Sequence, residues 1–247
     1  MDRYKKAADL IKNSTHTTVF TGAGVSVESG VPPFRGENGL WSKYDPGILN
    51  LNNFYNNPEE CWVKIKEIFY DYFGRAEPNA AHKVIAELEK VGYVKAVVTQ
   101  NIDNLHQKAG SKKVFEFHGN SRELVCTKCG SRYSADKEIL EDLPPRCERC
   151  GKILKPDFVF FGEAIPEKEK ELSFAEAEKA DLFIVIGTTG EVQPASSIPV
   201  IAKNNGTEII EINVEKSNYT NYITDIFIKD KATKAMKRIG EELSLLL

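Results

Sequence analysis

The chain has 247 residues, enough for one large domain or one domain with a small insert, and long enough to bury a sizeable core. Its 41% hydrophobic and 28% charged residues are those of an ordinary globular protein and exclude a disordered or fibrous chain. A formal net charge of -3 gives no global reason to bind nucleic acid or an anionic membrane, and no apolar run is long enough for a transmembrane helix.

In chain order, Met1–Lys6 leads into an amphipathic stretch and not the apolar core of a signal peptide. Short apolar runs follow at Thr17–Thr21, Lys95–Thr99, Val114–Phe117, Leu182–Ile186 and Glu208–Ile212, with a further one at Asp225–Ile228. Segments of helical periodicity lie between or after many of them: Ala80–Val91, Pro166–Lys179, Pro194–Asn204 and Ala232–Leu246. Near-continuous apolar strands alternating with helices predict an α/β fold, a doubly wound Rossmann-like parallel sheet covered on both faces. Ligands are then expected at the C-terminal ends of the strands.

Two regions interrupt the alternation. From Gly36 to about Phe73 the chain opens with loop formers and turns helical after Asn57-Pro58. From Arg122 to Pro156 it carries Cys126, Cys129, Cys147 and Cys150 in the spacing C-x2-C-x17-C-x2-C. Two such knuckles predict one zinc ion in a closed shell of four thiolates, which is structural because no position remains for water or substrate. Zinc-spaced cysteines without a signal segment point to the cytoplasm. Cys61, beside Trp62 in a helical pattern, reads as a buried core thiol. The expected division is a large domain of residues 1–35, 74–121 and 157–247, and a small lobe of a helical insert (36–73) with the inserted zinc module (122–156).

The first strand runs into Gly22-Ala23-Gly24-Val25-Ser26, where small residues suit a close backbone approach to a pyrophosphate and a following helix N-terminus adds N–H groups. The third glycine of the dinucleotide fingerprint is replaced by Val27, so spacing alone leaves a structural turn equally open. The longer segment Gly22 to Gly36, containing Pro32-Pro33-Phe34-Arg35, strongly resembles the cofactor loop of the sirtuins. Further matches arrive in the family's order: Thr99-Gln100-Asn101-Ile102-Asp103-Asn104-Leu105-His106, then Phe117-His118-Gly119, then Val159-Phe160-Phe161-Gly162-Glu163, with the knuckles between the last two. Gly187-Thr188-Thr189 and Ile212-Asn213 resemble its remaining nucleotide contacts.

The resemblance covers essentially the whole chain and implies an NAD-dependent protein-lysine deacetylase of compact prokaryotic type. In that family the acyl oxygen attacks C1′ of the nicotinamide ribose, nicotinamide leaves, and a base activates a ribose hydroxyl so that the acyl group departs on ADP-ribose. His118 matches the base, a role that suits a group titrating near neutrality. Asn101 and Asp103 match residues holding the nicotinamide carboxamide, whose donors and acceptor an amide and a carboxylate can satisfy. The resemblance places Gly22, Ala23, Gly24, Ser26, Arg35, Gln100, Ile102, Gly187, Thr188, Thr189 and Asn213 around NAD, and Phe34 over the reacting sugar face. Val159, Phe161, Gly162 and Glu163 match the strand that receives the acetyl-lysine peptide, although Val159–Phe161 also reads as a plain core strand. His16, His82 and His106 are expected to be structural.

Two departures bear on rate and selectivity: Pro33, where a polar residue is usual, and Gly190-Glu191, where an apolar pair is usual. Members preferring acidic acyl chains carry a Tyr-x-x-Arg pair at positions that fall here near Ile65 and Ile68, so uncharged acyl groups are expected; Tyr72 and Arg75 lie too far along. The alternatives are protein mono-ADP-ribosylation and, from a different class, a non-catalytic module whose knuckles bind nucleic acid or protein. Lys128, Arg132, Arg146, Arg149 and Lys152 make the knuckles locally basic, but interleaved acids and scarce aromatics weigh against nucleic acid. Neither the substrate protein nor the oligomeric state follows from the sequence.

Overall fold

The computed structural model describes residues 2–34 and 39–245, apart from the side chains of Tyr72 and Phe73. Helix α1 (Arg3–Asn13), capped by the Asp2 side chain, precedes strand β1 (Thr17–Thr21). Helix α2 (Leu51–Asn56) and helix α3 (Pro58–Ile65) form the helical insert, with Pro58 at the first turn, where its missing N–H costs nothing. Helix α4 (Ala80–Lys90) leads to β2 (Val94–Thr99), and a short helix α5 (Leu105–Ala109) to β3 (Val114–Glu116). Three strands then form a separate antiparallel sheet: β4 (Gly119–Cys126), β5 (Arg132–Ser134) and β6 (Leu154–Phe158), in the order β5-β4-β6. Helix α6 (Glu167–Lys179), β7 (Leu182–Ile186), α7 (Ser197–Asn204), β8 (Glu208–Asn213), β9 (Ile226–Lys229) and α8 (Ala232–Glu242) complete the chain.

The six other strands form one sheet in the order β3-β2-β1-β7-β8-β9, and all its pairs are parallel. Both faces are buried, so alternate residues of one strand serve two cores. Val19, Leu182, Ile184, Ile186, Ile210 and Ile212 pack with α1, α4 and α8, whereas Phe20, Phe183, Val185 and Ile209 pack with α6 and α7. A third core joins the helical insert to the small sheet: Phe54, Trp62, Ile65 and Ile68 pack with Leu124, Leu154, Phe158 and Phe160, and Trp62 Nε1 donates to Leu154 O at 2.9 Å. Cys61 is buried there, as expected of a core thiol.

Sequence and structure part in two places. No α-helix follows Gly22–Ser26: the loop makes two three-residue 3-10 turns, Ala23–Val25 and Val27–Ser29, so it presents no long helix N-terminus. Nor is Val159–Phe161 a core strand. Strand β6 ends at Phe158, and the following segment meets Asn50 through an isolated bridge, leaving Phe161 46% exposed.

Candidate active site

From β1 the chain crosses to β2 and β3 on one side, then returns to β7 on the other, so order reverses between β1 and β7. In register, Thr21 lies beside both Thr99 and Ile186, and Ile186 lies beside Ile212. The segments leaving this edge carry Gly22–Ser26, Gln100–Asp103, Gly187–Thr189 and Asn213, and His118 follows β3. A crevice at such a reversal is where open α/β sheets bind ligands.

The glycines are fixed by loop packing across that crevice. Gly22 N–H donates to Ile186 O at 3.0 Å and Gly24 N–H to Gly187 O at 2.8 Å. A Cβ on Gly24 would stand 2.6 Å from Gly187 Cα, and one on Gly187 would stand 2.5 Å from Val25 N. No side chain fits either position, whatever the ligand. Gln100 Nε2 donates to Thr188 Oγ1 at 3.1 Å and Asn213 Nδ2 to Thr188 O at 3.0 Å, which ties the ends of β2, β7 and β8 together. Thr189 is exposed beside them. Gly190 lies against the Tyr219 ring, where a Cβ would come within 2.8 Å, and Glu191 is exposed.

Ser26, Asn101 and Asp103 converge below the glycine loop. Asn101 Nδ2 donates to Gly22 O and Ser26 Oγ, both at 3.2 Å, and Ser26 Oγ donates to Asp103 Oδ2 at 2.6 Å. Asp103 Oδ1 accepts from Leu105 N–H at 3.0 Å. Burial raises the Asp103 carboxyl pKa, and the bonds from Ser26 and Leu105 oppose that shift. His82, read from sequence as structural, belongs to this network. Its Nδ1 accepts the Asn79 N–H at 3.3 Å in a capping box, so Nε2 carries the proton and faces Ser26 Oγ at 3.4 Å. The hydroxyl thereby meets two donors and one acceptor, its full capacity. His106 packs against His82 at 4.9 Å between ring centroids and reaches Thr21 Oγ1 at 3.0 Å. The Asn79-x-x-His82 capping pattern was the available signal for His82, though it does not name the serine.

His118 sits between β3 and β4 with Nδ1 3.1 Å from Gln100 O. A carbonyl only accepts, so Nδ1 bears the proton and Nε2 keeps a free lone pair. Burial lowers its pKa, partly offset by that hydrogen bond. Gly119 takes φ +74° where β4 crosses β6, and a Cβ there would lie 2.2 Å from Asp157 O. Val159 N–H donates to His118 O at 2.9 Å, fastening the following segment to the histidine's own backbone.

Val159 and Phe161 alternate with the buried Phe158 and Phe160 and stand away from the core. Phe161 lies 6.4 Å from Trp41, which lies 5.5 Å from Phe34, so an aromatic row links this segment to the glycine loop. Trp41 carried no sequence signal of its own. Gly162 is exposed, and the Glu163 carboxylate accepts the Phe160 N–H at 2.9 Å. Ile102 is partly buried, with its carbonyl accepting from Ser121 Oγ at 2.8 Å. Pro33 O accepts the Leu40 N–H at 2.8 Å, and Arg35 lies outside the described residues.

The ligand atoms of Cys126, Cys129, Cys147 and Cys150 lie within 4.8 Å of one another, with Sγ–Sγ distances of 3.4 Å (Cys126–Cys150) and 3.6 Å (Cys129–Cys147). A tetrahedral zinc with thiolates at ~2.3 Å has an S–S edge of about 3.8 Å, so the donors fit one ion. In each knuckle the glycine after the second cysteine, Gly130 or Gly151, takes φ +70° and turns its N–H back to the first cysteine's carbonyl.

A Sir2 family model matches residues 22–194. An NAD-dependent protein deacylase 2 of Pyrobaculum aerophilum is 45% identical over 96% of this chain and 94% of the relative. An NAD-dependent protein deacetylase 2 of Caldanaerobacter subterraneus is 44% identical over 96% and 94%. Among solved structures, a Sir2 protein with a p53 peptide and NAD+ superposes with a TM-score of 0.90 at 35% identity, covering 98% of each chain. A Sir2 variant with a deacetylated p53 peptide and 3′-O-acetyl ADP-ribose gives 0.92 at 35%, covering 98% of this chain and 99% of the other.

Proposed function

The chain belongs to the Sir2 family and is an NAD-dependent protein-lysine deacetylase, and from that premise we propose which of its residues do the work. The observation that carries the assignment is the His118 tautomer: with Nδ1–H committed to Gln100 O, Nε2 is free to take a proton from a ribose hydroxyl. Asn101 and Asp103 hold the nicotinamide carboxamide, and Ser26 and His82 fix their orientation from behind. Gly22–Gly24, Gln100, Ile102, Gly187–Thr189 and Asn213 line the nucleotide, with Phe34 over the sugar; Arg35, expected with them from the resemblance, lies outside the described residues. An acetylated lysine enters beside Val159, Phe161 and Gly162. Neutral acetyl-lysine suits this apolar slot, whereas a charged lysine would lose its hydration there.

We assign one structural zinc to the four thiolates. It holds β4 and β6, and with them His118 and Val159, in one frame; no step of the reaction passes through it. The large domain is residues 1–35, 74–121 and 157–247, and the small lobe the remainder, with substrates between them. Five cysteines, none of them in a disulfide, suit a reducing compartment, which favours the cytoplasm. Among the described residues no helix is long and apolar enough to cross a membrane.

Replacing His118 by Ala tests the base. Deacetylation is expected to fall at least about a hundredfold with zinc content and melting temperature unchanged. Full activity in His118→Ala would remove the histidine from the mechanism.

A further inference from the structure

Lys155 is a lysine with almost no access to solvent. It lies on β6, and its side chain is 4% exposed. Each of its three N–H donors has an oxygen: Pro156 O at 2.7 Å, Phe158 O at 2.6 Å and the Glu163 carboxylate at 3.1 Å. The ammonium also stands 4.3 Å from the centre of the Phe160 ring. Glu163 Oε2 in turn accepts the Phe160 N–H. The ammonium therefore gathers, directly or through one carboxylate, backbone groups of residues 156, 158 and 160, the residues that alternate with Val159 and Phe161. Phe161 is independently pinned, its N–H donating to Leu49 O at 2.8 Å and its carbonyl accepting from Leu51 N–H at 3.1 Å.

We propose that Lys155 is the positioning residue of the peptide-binding segment: its buried ammonium curls residues 156–163 around itself so that Val159 and Phe161 face the groove, and Glu163 serves the substrate through Lys155 without touching it. A buried charge is costly unless fully paired, and an apolar side chain of similar length would take from two carbonyls and a carboxylate the donor that joins them. The segment then loses the groups that hold its curl while the nucleotide crevice, built on the other sheet, is untouched. This inference rests on the assignment of Val159 and Phe161 to the acylated lysine.

Steady-state kinetics with an acetyl-lysine peptide and NAD tests it. Lys155→Met is expected to raise the peptide KM about tenfold while leaving the NAD KM within about twofold, and Lys155→Arg, which keeps charge and donors, to return the peptide KM to within about threefold of the unaltered enzyme. If Lys155→Met does not fold, Glu163→Gln is the second variant: it removes the ammonium's counter-charge while still accepting the Phe160 N–H, and is expected to raise the peptide KM about threefold with the NAD KM unchanged. An unchanged peptide KM, or equal changes in both KM values, overturns the proposal. Phe161→Ala separates the two levels: if it leaves the peptide KM unaltered, the assignment of the segment itself fails.

Discussion

His118 and His82 show how one residue type takes two jobs from its hydrogen bonds. Nδ1–H of His118 is fixed on a carbonyl and burial lowers its pKa, so the neutral base persists below the ordinary imidazole value of about 6.5. The acid limb of kcat/KM is therefore expected to have its midpoint below pH ~6.5, and a midpoint above that value contradicts the assigned environment. His82 is pushed down to about 4 by burial, and His106 is lowered by burial and by His82. Well above pH ~6.5 neither the folded nor the unfolded chain protonates them. As pH falls below ~6.5 the unfolded chain takes up protons that the fold refuses, so stability declines until pH reaches the folded pKa of about 4, by about 3 kcal/mol for His82. Thermal unfolding followed from about pH 7 down to about pH 5 is expected to show this decline, and His82→Gln to flatten it by roughly half. A wild-type midpoint that does not fall, or a variant that keeps the full slope, refutes the buried neutral pair. At this scale the motif residues were legible through resemblance. The reason for Gly24 was not, because it is a contact with Gly187, from a strand far along the chain.

Among the elements, the six strands of the large sheet were legible because burial on both faces favours short runs dense in apolar and β-branched residues, as in β1 and β7. The small sheet was not: β4 carries Asn120, Ser121, Arg122 and Glu123, and β6 carries Lys155, Pro156 and Asp157, so neither reads as an apolar or cleanly alternating strand. Its order comes from the knuckles, from Trp62 donating to Leu154 O, and from the Lys155 clamp. Cys126 and Cys147 are buried in the same core as Trp62 and Phe160. Cys147→Ala is accordingly expected to lose both bound zinc and deacetylation, measured by metal analysis and peptide turnover on one preparation. Activity that survives complete zinc loss would show that the small sheet holds its shape without the metal.

For the molecule as a whole, the sheet with its two cores packs against the helical insert and small sheet, whose core also takes in Val31, Ala76 and Leu105, and we place the groove between these two bodies. The strand alternation predicted the first body. The second was visible only as two interruptions, since its core forms between segments that are remote in sequence. Selectivity belongs to this scale because we place the acyl slot beside the small lobe. Ile65 and Ile68 are fully buried in its core, so neither position offers a phenol or guanidinium to an acidic acyl chain. Acetyl-peptide is expected to be turned over at least about tenfold faster than its succinyl counterpart in kcat/KM, because an unpaired carboxylate in an apolar slot loses its hydration. A preference for succinyl would reverse this reading of the lobe. The central claim is tested most directly by incubating the protein with NAD and an acetyl-lysine peptide while following nicotinamide, deacetylated peptide and O-acetyl-ADP-ribose together. The three are predicted to appear in equal amounts and only when NAD is present. Nicotinamide release with ADP-ribose transferred to protein and no free lysine formed would contradict it.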